Sequence, residues 1–308
     1  YAEDHPAASD TAELATLHGL FPATWLAADV STGRPAATGT LFTRAPWLHG
    51  ARPAAADWTA WFPGARRHEE NDAAGHLLSF FHGAETHVVS RDKEAIVARP
   101  HGHILRSGDV ASVDDGHFGL TCYATGIFGA QAYLGNPSLA RLLSVVRNQL
   151  NVARAGGQRV FLRHGGVWHQ LGVPSAFVME PGAVRWIYRF ADRVVTARVW
   201  CSRHEPASFL ELKVFSGPPA EFLVTHQLAL GGNEFDSAGE LEVHDDGWIA
   251  ARPAPGGFTA QHLPGTCFAL AATGPLSAHG GDELLCGDGG AGGGPYACFQ
   301  TKAVNHCT

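Results

Sequence analysis

The sequence predicts a mainly β protein, a large antiparallel sandwich with a few short helices. Short apolar or alternating runs recur at intervals of ~8–12 residues with turn residues between them, which is the rhythm of sandwich strands. Glycine and proline number 37 and 18 in 308 residues, so turns are frequent. No strand–helix–strand alternation appears, which argues against a parallel α/β sheet.

Residues 1–75 are rich in Ala, Pro and Thr, with Trp25, Trp47, Trp58 and Trp61 scattered among breakers such as Pro63 and Gly64. Apart from a short helix over residues 10–18 capped by Asp10, this stretch reads as an irregular arm or partial subdomain. From His76 the texture changes, and residues 76–308 are expected to form the sandwich. Runs 76–82, 86–90 and 94–99 are strand-like, separated by Gly83-Ala84 and by an Arg91-Asp92-Lys93 turn. Further runs cover 118–134, 158–163, 167–170, 184–190, 194–201, 209–215, 222–230, 241–244, 248–252 and 267–271. Within 194–201, Val195, Ala197 and Val199 share one face and Val194, Thr196 and Arg198 the other, because strand side chains alternate with period two. One face should meet a core and the other water or ligand. After Pro137, the helical spacing of Leu139, Leu142, Leu143 and Val146 predicts a helix over 138–148. Residues 287–294 read as a flexible loop that lacks the lysine and hydroxyl of a phosphate-binding loop.

The net charge is -7, and no basic run exceeds the Arg66-Arg67 pair. A polyphosphate backbone finds nothing extended to grip, so nucleic acid is not an expected partner. Apolar stretches stay well short of the ~18 residues that span a bilayer as a helix, so no membrane partner is expected either. The chain opens at Tyr1 and its single methionine is Met179, which reads as a processed protein or a piece of a longer one. The six cysteines include four, Cys267, Cys286, Cys298 and Cys307, near the end of the chain. They read as free or opportunistically paired thiols, with a structural zinc or a disulfide staple in an extracellular module as alternatives.

Among eighteen histidines, His101-Gly102-His103 stands out, because residues i and i+2 on a strand share a face and could ligate one metal. An exposed polar pair is the preferred account of them. His68-Glu69-Glu70 and Asp114-Asp115 are adjacent carboxylates that a strand or loop would point apart, whereas acid–base chemistry needs convergence. There is no G-x-S-x-G elbow, and Ser175 follows Gly172-Val173-Pro174 without flanking glycines, which disfavours a serine hydrolase. Between Gly135 and Trp186, arginines, amides and indoles interleave densely. Trp168 and Trp186 offer flat faces for sugar C–H patches, with core packing as the competing role.

Five runs in this region carry a family resemblance: "GLTCYATGIFGAQAYLGN" (119–136), "RLLSVVRNQLNVARAGGQRVF" (141–161), "LGVPSAF" (171–177), "RWIYRF" (185–190) and "THQLALGGNEFD" (225–236). They resemble the N-terminal β-supersandwich, galactose-mutarotase-like domain of inverting glycoside phosphorylases of the cellobiose phosphorylase family, and especially its β-oligoglucan members. The resemblance covers roughly residues 76–250. It implies that the catalytic Asp sits on a separate (α/α)-barrel, so this chain frames or binds a β-glucan or oligosaccharide and is not catalytic by itself. It further implies no cofactor, inorganic phosphate as co-substrate only where a barrel is present, a homodimer or barrel partner, and a cytoplasmic location. Secretion stays open from the N-terminus and the cysteines. The loop residues it carries over are Gln158, Arg159, Asn233 and Glu234. A self-contained sugar-active or His101/His103 metal enzyme remains the alternative.

Overall fold

The computed structural model describes residues 28–29, 34–35, 45–97, 100–109, 116–135, 139–144, 156–231, 239–281, 284 and 296–308. In chain order, β1 (Ala28–Asp29) and β2 (Arg34–Pro35) form a two-stranded ribbon. They are followed by β3 (Trp47–Leu48), α1 (Ala55–Trp61), β4 (Arg66–Asn71), β5 (Leu77–His82), β6 (Thr86–Ser90), α2 (Arg91–Ile96) and β7 (Gly102–Arg106). The middle comprises β8 (Phe118–Tyr123), β9 (Ile127–Leu134), β10 (Gln158–His164), β11 (Val167–Leu171), β12 (Ala176–Glu180), β13 (Ala183–Arg189), β14 (Val194–Cys201), β15 (Ser208–Ser216) and β16 (Phe222–Gln227). Last come β17 (Gly239–Val243), β18 (Ile249–Pro253), α3 (Phe258–His262), β19 (Phe268–Leu270), β20 (Leu276–Gly280), β21 (Tyr296–Thr301) and β22 (His306–Cys307).

These strands make an antiparallel supersandwich. One sheet runs β20-β21-β16-β10-β9-β8-β7, with β11 on β10 and β3 parallel to β11; the other runs β22-β15-β14-β13-β12-β6-β5-β4. Between them lies one large core. Leu105, Phe128, Val160 and Leu162 from the first sheet meet Val184, Trp186, Val195 and Val199 from the second. The alternation expected in β14 holds: Val195, Ala197 and Val199 are buried and Arg198 is exposed. On the outer face of the second sheet, α1 packs Trp58 against Phe62, Phe80, Val88 and Ile187. Asp57 holds the start of α1 by accepting the Ala54 N–H, and it pairs with Arg189.

Several elements differ from the sequence expectation, each for a local reason. Residues 91–96 are helical and not turn plus strand, because the Ser90 hydroxyl accepts the Lys93 N–H and caps a helix. The run 118–134 is two strands, folded back at Gly126 with φ +76°. The helix expected over 138–148 is absent from its described part, 139–144. There the Leu142 N–H donates to the Ala132 carbonyl, and Leu143 bridges to Leu228 across the sheet. Residues 45–75 add β3, α1 and β4 to the sandwich, so the change of texture at His76 lies inside the fold. The expected helix over 10–18 and the loop over 287–294 fall outside the described residues. Cys122, Cys201, Cys267 and Cys307 are free thiols, so Cys267 and Cys307 form no staple. Burial pushes the Cys201 thiol up to about 12 and that of Cys307 up to about 11.

Candidate functional site

At one end of the first sheet, neighbouring strands assemble a polar cluster from residues far apart in sequence. Gln158 opens β10, and its register partner on β16 is His226. The imidazole Nδ1 lies 3.2 Å from the Ala297 carbonyl of β21, so that nitrogen carries the proton. Nε2 is then free to accept from the Gln158 amide nitrogen at 2.9 Å. Burial keeps His226 neutral and pushes its pKa down to about 4, against the opposing pull of that carbonyl. Beside it, the Ser144 hydroxyl donates to Gln227 Oε1 at 2.6 Å and accepts the Gly157 N–H at 3.1 Å, while the Gln227 amide donates to the Tyr296 hydroxyl at 3.0 Å. Ser144, His226, Gln227 and Tyr296 are all buried, and a buried network with its groups paired is rigid.

Gly157 makes this junction possible. Its φ is +70°, and a Cβ there would stand 2.2 Å from the Gly129 carbonyl oxygen. Only glycine adopts the turn and lets β10 reach β9 so closely. The network therefore ties Ser144 to Gly157 and to Gln227 of β16, residues that fall within two of the runs carrying the family resemblance.

Gln158 and His226 also line a cavity of 410 Å³ between the sheets, whose walls are otherwise mostly apolar, with Leu143, Leu212, Val224, Phe268 and Phe299 among them. None of the described residues on this wall has an acidic, lysine or arginine side chain.

The residues expected from sequence do not converge on one point. Arg159, next to Gln158, points to the opposite face of β10, where it is buried and donates to the carbonyls of Gly156 (2.8 Å) and Gly126 (3.4 Å). It is an internal brace. Trp186 is fully buried between the sheets, its ring 4.7 Å from Phe128 and 5.3 Å from Phe177 and its indole N–H on the Tyr123 carbonyl. It has no face for a sugar. Trp168 on β11 is half-buried against a small cluster that includes Phe161 and Tyr296, and the Arg163 guanidinium sits 6.0 Å from its ring. Part of its surface is open to solvent. Asn233 and Glu234 lie outside the described residues.

His101 and His103 are engaged separately. His101 Nδ1 meets the Glu94 carboxylate, and His103 Nε2 lies 3.0 Å from the Glu180 carbonyl. Glu69 and Glu70 diverge, towards Arg66 and Lys93 respectively. The Ser175 hydroxyl is fully buried and accepts the Arg189 N–H at 2.9 Å, a structural role and not a nucleophile's. His226, Gln227 and Ser144 were missed by sequence reasoning. One histidine among eighteen carries no signal, and only the β10–β16 register reveals its partner.

Comparison with known proteins agrees with this architecture. Residues 62–291 match the glycoside phosphorylase supersandwich domain. A 1,2-β-oligoglucan phosphorylase of Listeria innocua serovar 6a is 28% identical over 207 residues, covering 67% of this chain and 19% of that protein. The chain thus spans about a fifth of the length of the curated relative it matches. With the matched region running through both sheets of the sandwich, the chain belongs to the glycoside phosphorylase supersandwich domain family.

Proposed function

We propose that this chain is the non-catalytic supersandwich of a β-glucan phosphorylase, binding or framing a 1,2-β-oligoglucan for a catalytic (α/α)-barrel. One observation supports the reading: residues 62–291 match the supersandwich domain, and within them the Ser144–Gln227 pair and the Gln158–His226 pair brace one end of the first sheet as a rigid frame. A scaffold of this kind positions loops and leaves bond cleavage, with phosphate as co-substrate, to another domain. The half-open indole of Trp168 is the described group best suited to stack on a glucose ring. A homodimer, or docking onto the barrel, in the cytoplasm completes the proposal.

The test is direct. Incubated with 1,2-β-gluco-oligosaccharides and phosphate, the chain should release no glucose 1-phosphate, yet calorimetry should detect oligosaccharide binding. Trp168→Ala should weaken that binding by about tenfold, the scale of one aromatic contact, with the melting temperature almost unchanged. Glucose 1-phosphate release would overturn the non-catalytic reading, and unchanged affinity in Trp168→Ala would remove that indole from the glucan surface.

A further inference from the structure

A second cluster lies where the chain passes from α2 to β7, away from the Gln158–His226 end. His87 of β6 and His101, just before β7, bring their rings within 6.3 Å of each other at 75°. Glu94 of α2 has a side chain only 1% exposed, and its carboxylate meets His101 Nδ1 while lying 3.3 Å from the His101 backbone nitrogen. A carboxylate only accepts, so His101 donates from Nδ1, and Nε2 is the ring nitrogen left to face another partner. A carboxylate on the far nitrogen is the arrangement that fixes tautomer and ring orientation in histidine metal ligands. His87 lies flat on Phe81, centroids 4.7 Å apart at 10°, which fixes its plane.

We propose that His87 and His101 bind a divalent ion of the zinc, nickel and copper class, with Glu94 as the group that orients His101. Imidazole nitrogen suits these ions. Two imidazoles on one tetrahedral ion, with bonds of ~2.0–2.1 Å, place their centroids about 5.2 Å apart. The observed 6.3 Å therefore closes with about 1 Å of side-chain movement. Among the described residues no group of three or more His, Cys, Asp or Glu could hold a metal ion, so the site proposed is one of two histidines only. His103 takes no part, since its Nε2 faces the Glu180 carbonyl.

Zinc titrated calorimetrically into the whole chain should bind at one site. His87→Phe, which keeps an aromatic ring against Phe81, and His101→Ala should each weaken binding at least tenfold. His103→Ala should leave it unchanged, and Glu94→Gln should weaken it about tenfold to a hundredfold, the usual effect of losing such a partner. Melting curves identify any variant that fails to fold; His87→Phe then carries the test. A wild-type chain that binds no zinc, an unchanged affinity in His87→Phe, or a loss in His103→Ala as large as in His101→Ala would overturn the proposal.

Discussion

Trp168 and Trp186 lie in the same aromatic-rich stretch and in neighbouring hairpins, yet the fold gives them opposite fates. Both read from sequence as possible sugar platforms, because composition cannot tell which face of a strand meets the core. Strand pairing and packing decide it, and Trp186 ends beside Phe128 and Phe177. Trp186→Ala should therefore cost ~3–5 kcal/mol, read as a lower denaturation midpoint with no specific change in glucan binding. His226 belongs to the same scale. Its folded pKa, about 4, lies below the ordinary histidine value of 6.5, so the unfolded chain takes up the proton first as pH falls. Its contribution is present above pH 6.5 and is lost between there and about pH 4, at a cost on the order of 3 kcal/mol. Unfolding free energies across that range should fall with acid in the wild type and fall less steeply in His226→Asn. Parallel slopes would show that His226 does not set the acid limit.

At the scale of elements, alternation and turn residues made most strands legible. β5, β6, β10, β11 and β13 to β16 fall close to the runs expected from sequence. What stayed hidden had mixed chemistry. β21 reads Tyr-Ala-Cys-Phe-Gln-Thr, a string that looks like part of a cysteine-rich tail, yet it sits between β20 and β16 with five of its six residues buried. The helix α2 was obscured by the charged residues 91–94, whose start depends on one hydroxyl, that of Ser90. The junction before β10 rests on backbone conformation, which side-chain patterns do not report. Gly157→Ala should destabilise by more than the ~1–2 kcal/mol of a left-handed residue, because its methyl would also meet the Gly129 carbonyl. Thermal melting checks this, and a neutral Gly157→Ala would mean that the junction relaxes freely.

Across the whole molecule, one core joins the two large sheets and reaches the separate three-stranded sheet β17-β18-β19, through Ile249, Ala251, Phe268 and Leu270. Sheets that share a core should lose structure together. Tryptophan fluorescence, to which the buried Trp47, Trp58 and Trp186 contribute, and far-ultraviolet circular dichroism should give coincident denaturant transitions. Separated midpoints would divide the sandwich into independent units.

The outer strand β4 has a wider consequence. Its sequence, Arg-Arg-His-Glu-Glu-Asn, is exposed along almost its whole length, its pairing with β5 shifts register twice, and His68 takes a positive φ of 52°. A kinked, charge-studded border cannot easily accept another strand, so the broad second sheet is guarded on that side against fibrillar growth. Protein engineers who smooth that border with valines to gain rigidity should instead obtain precipitate.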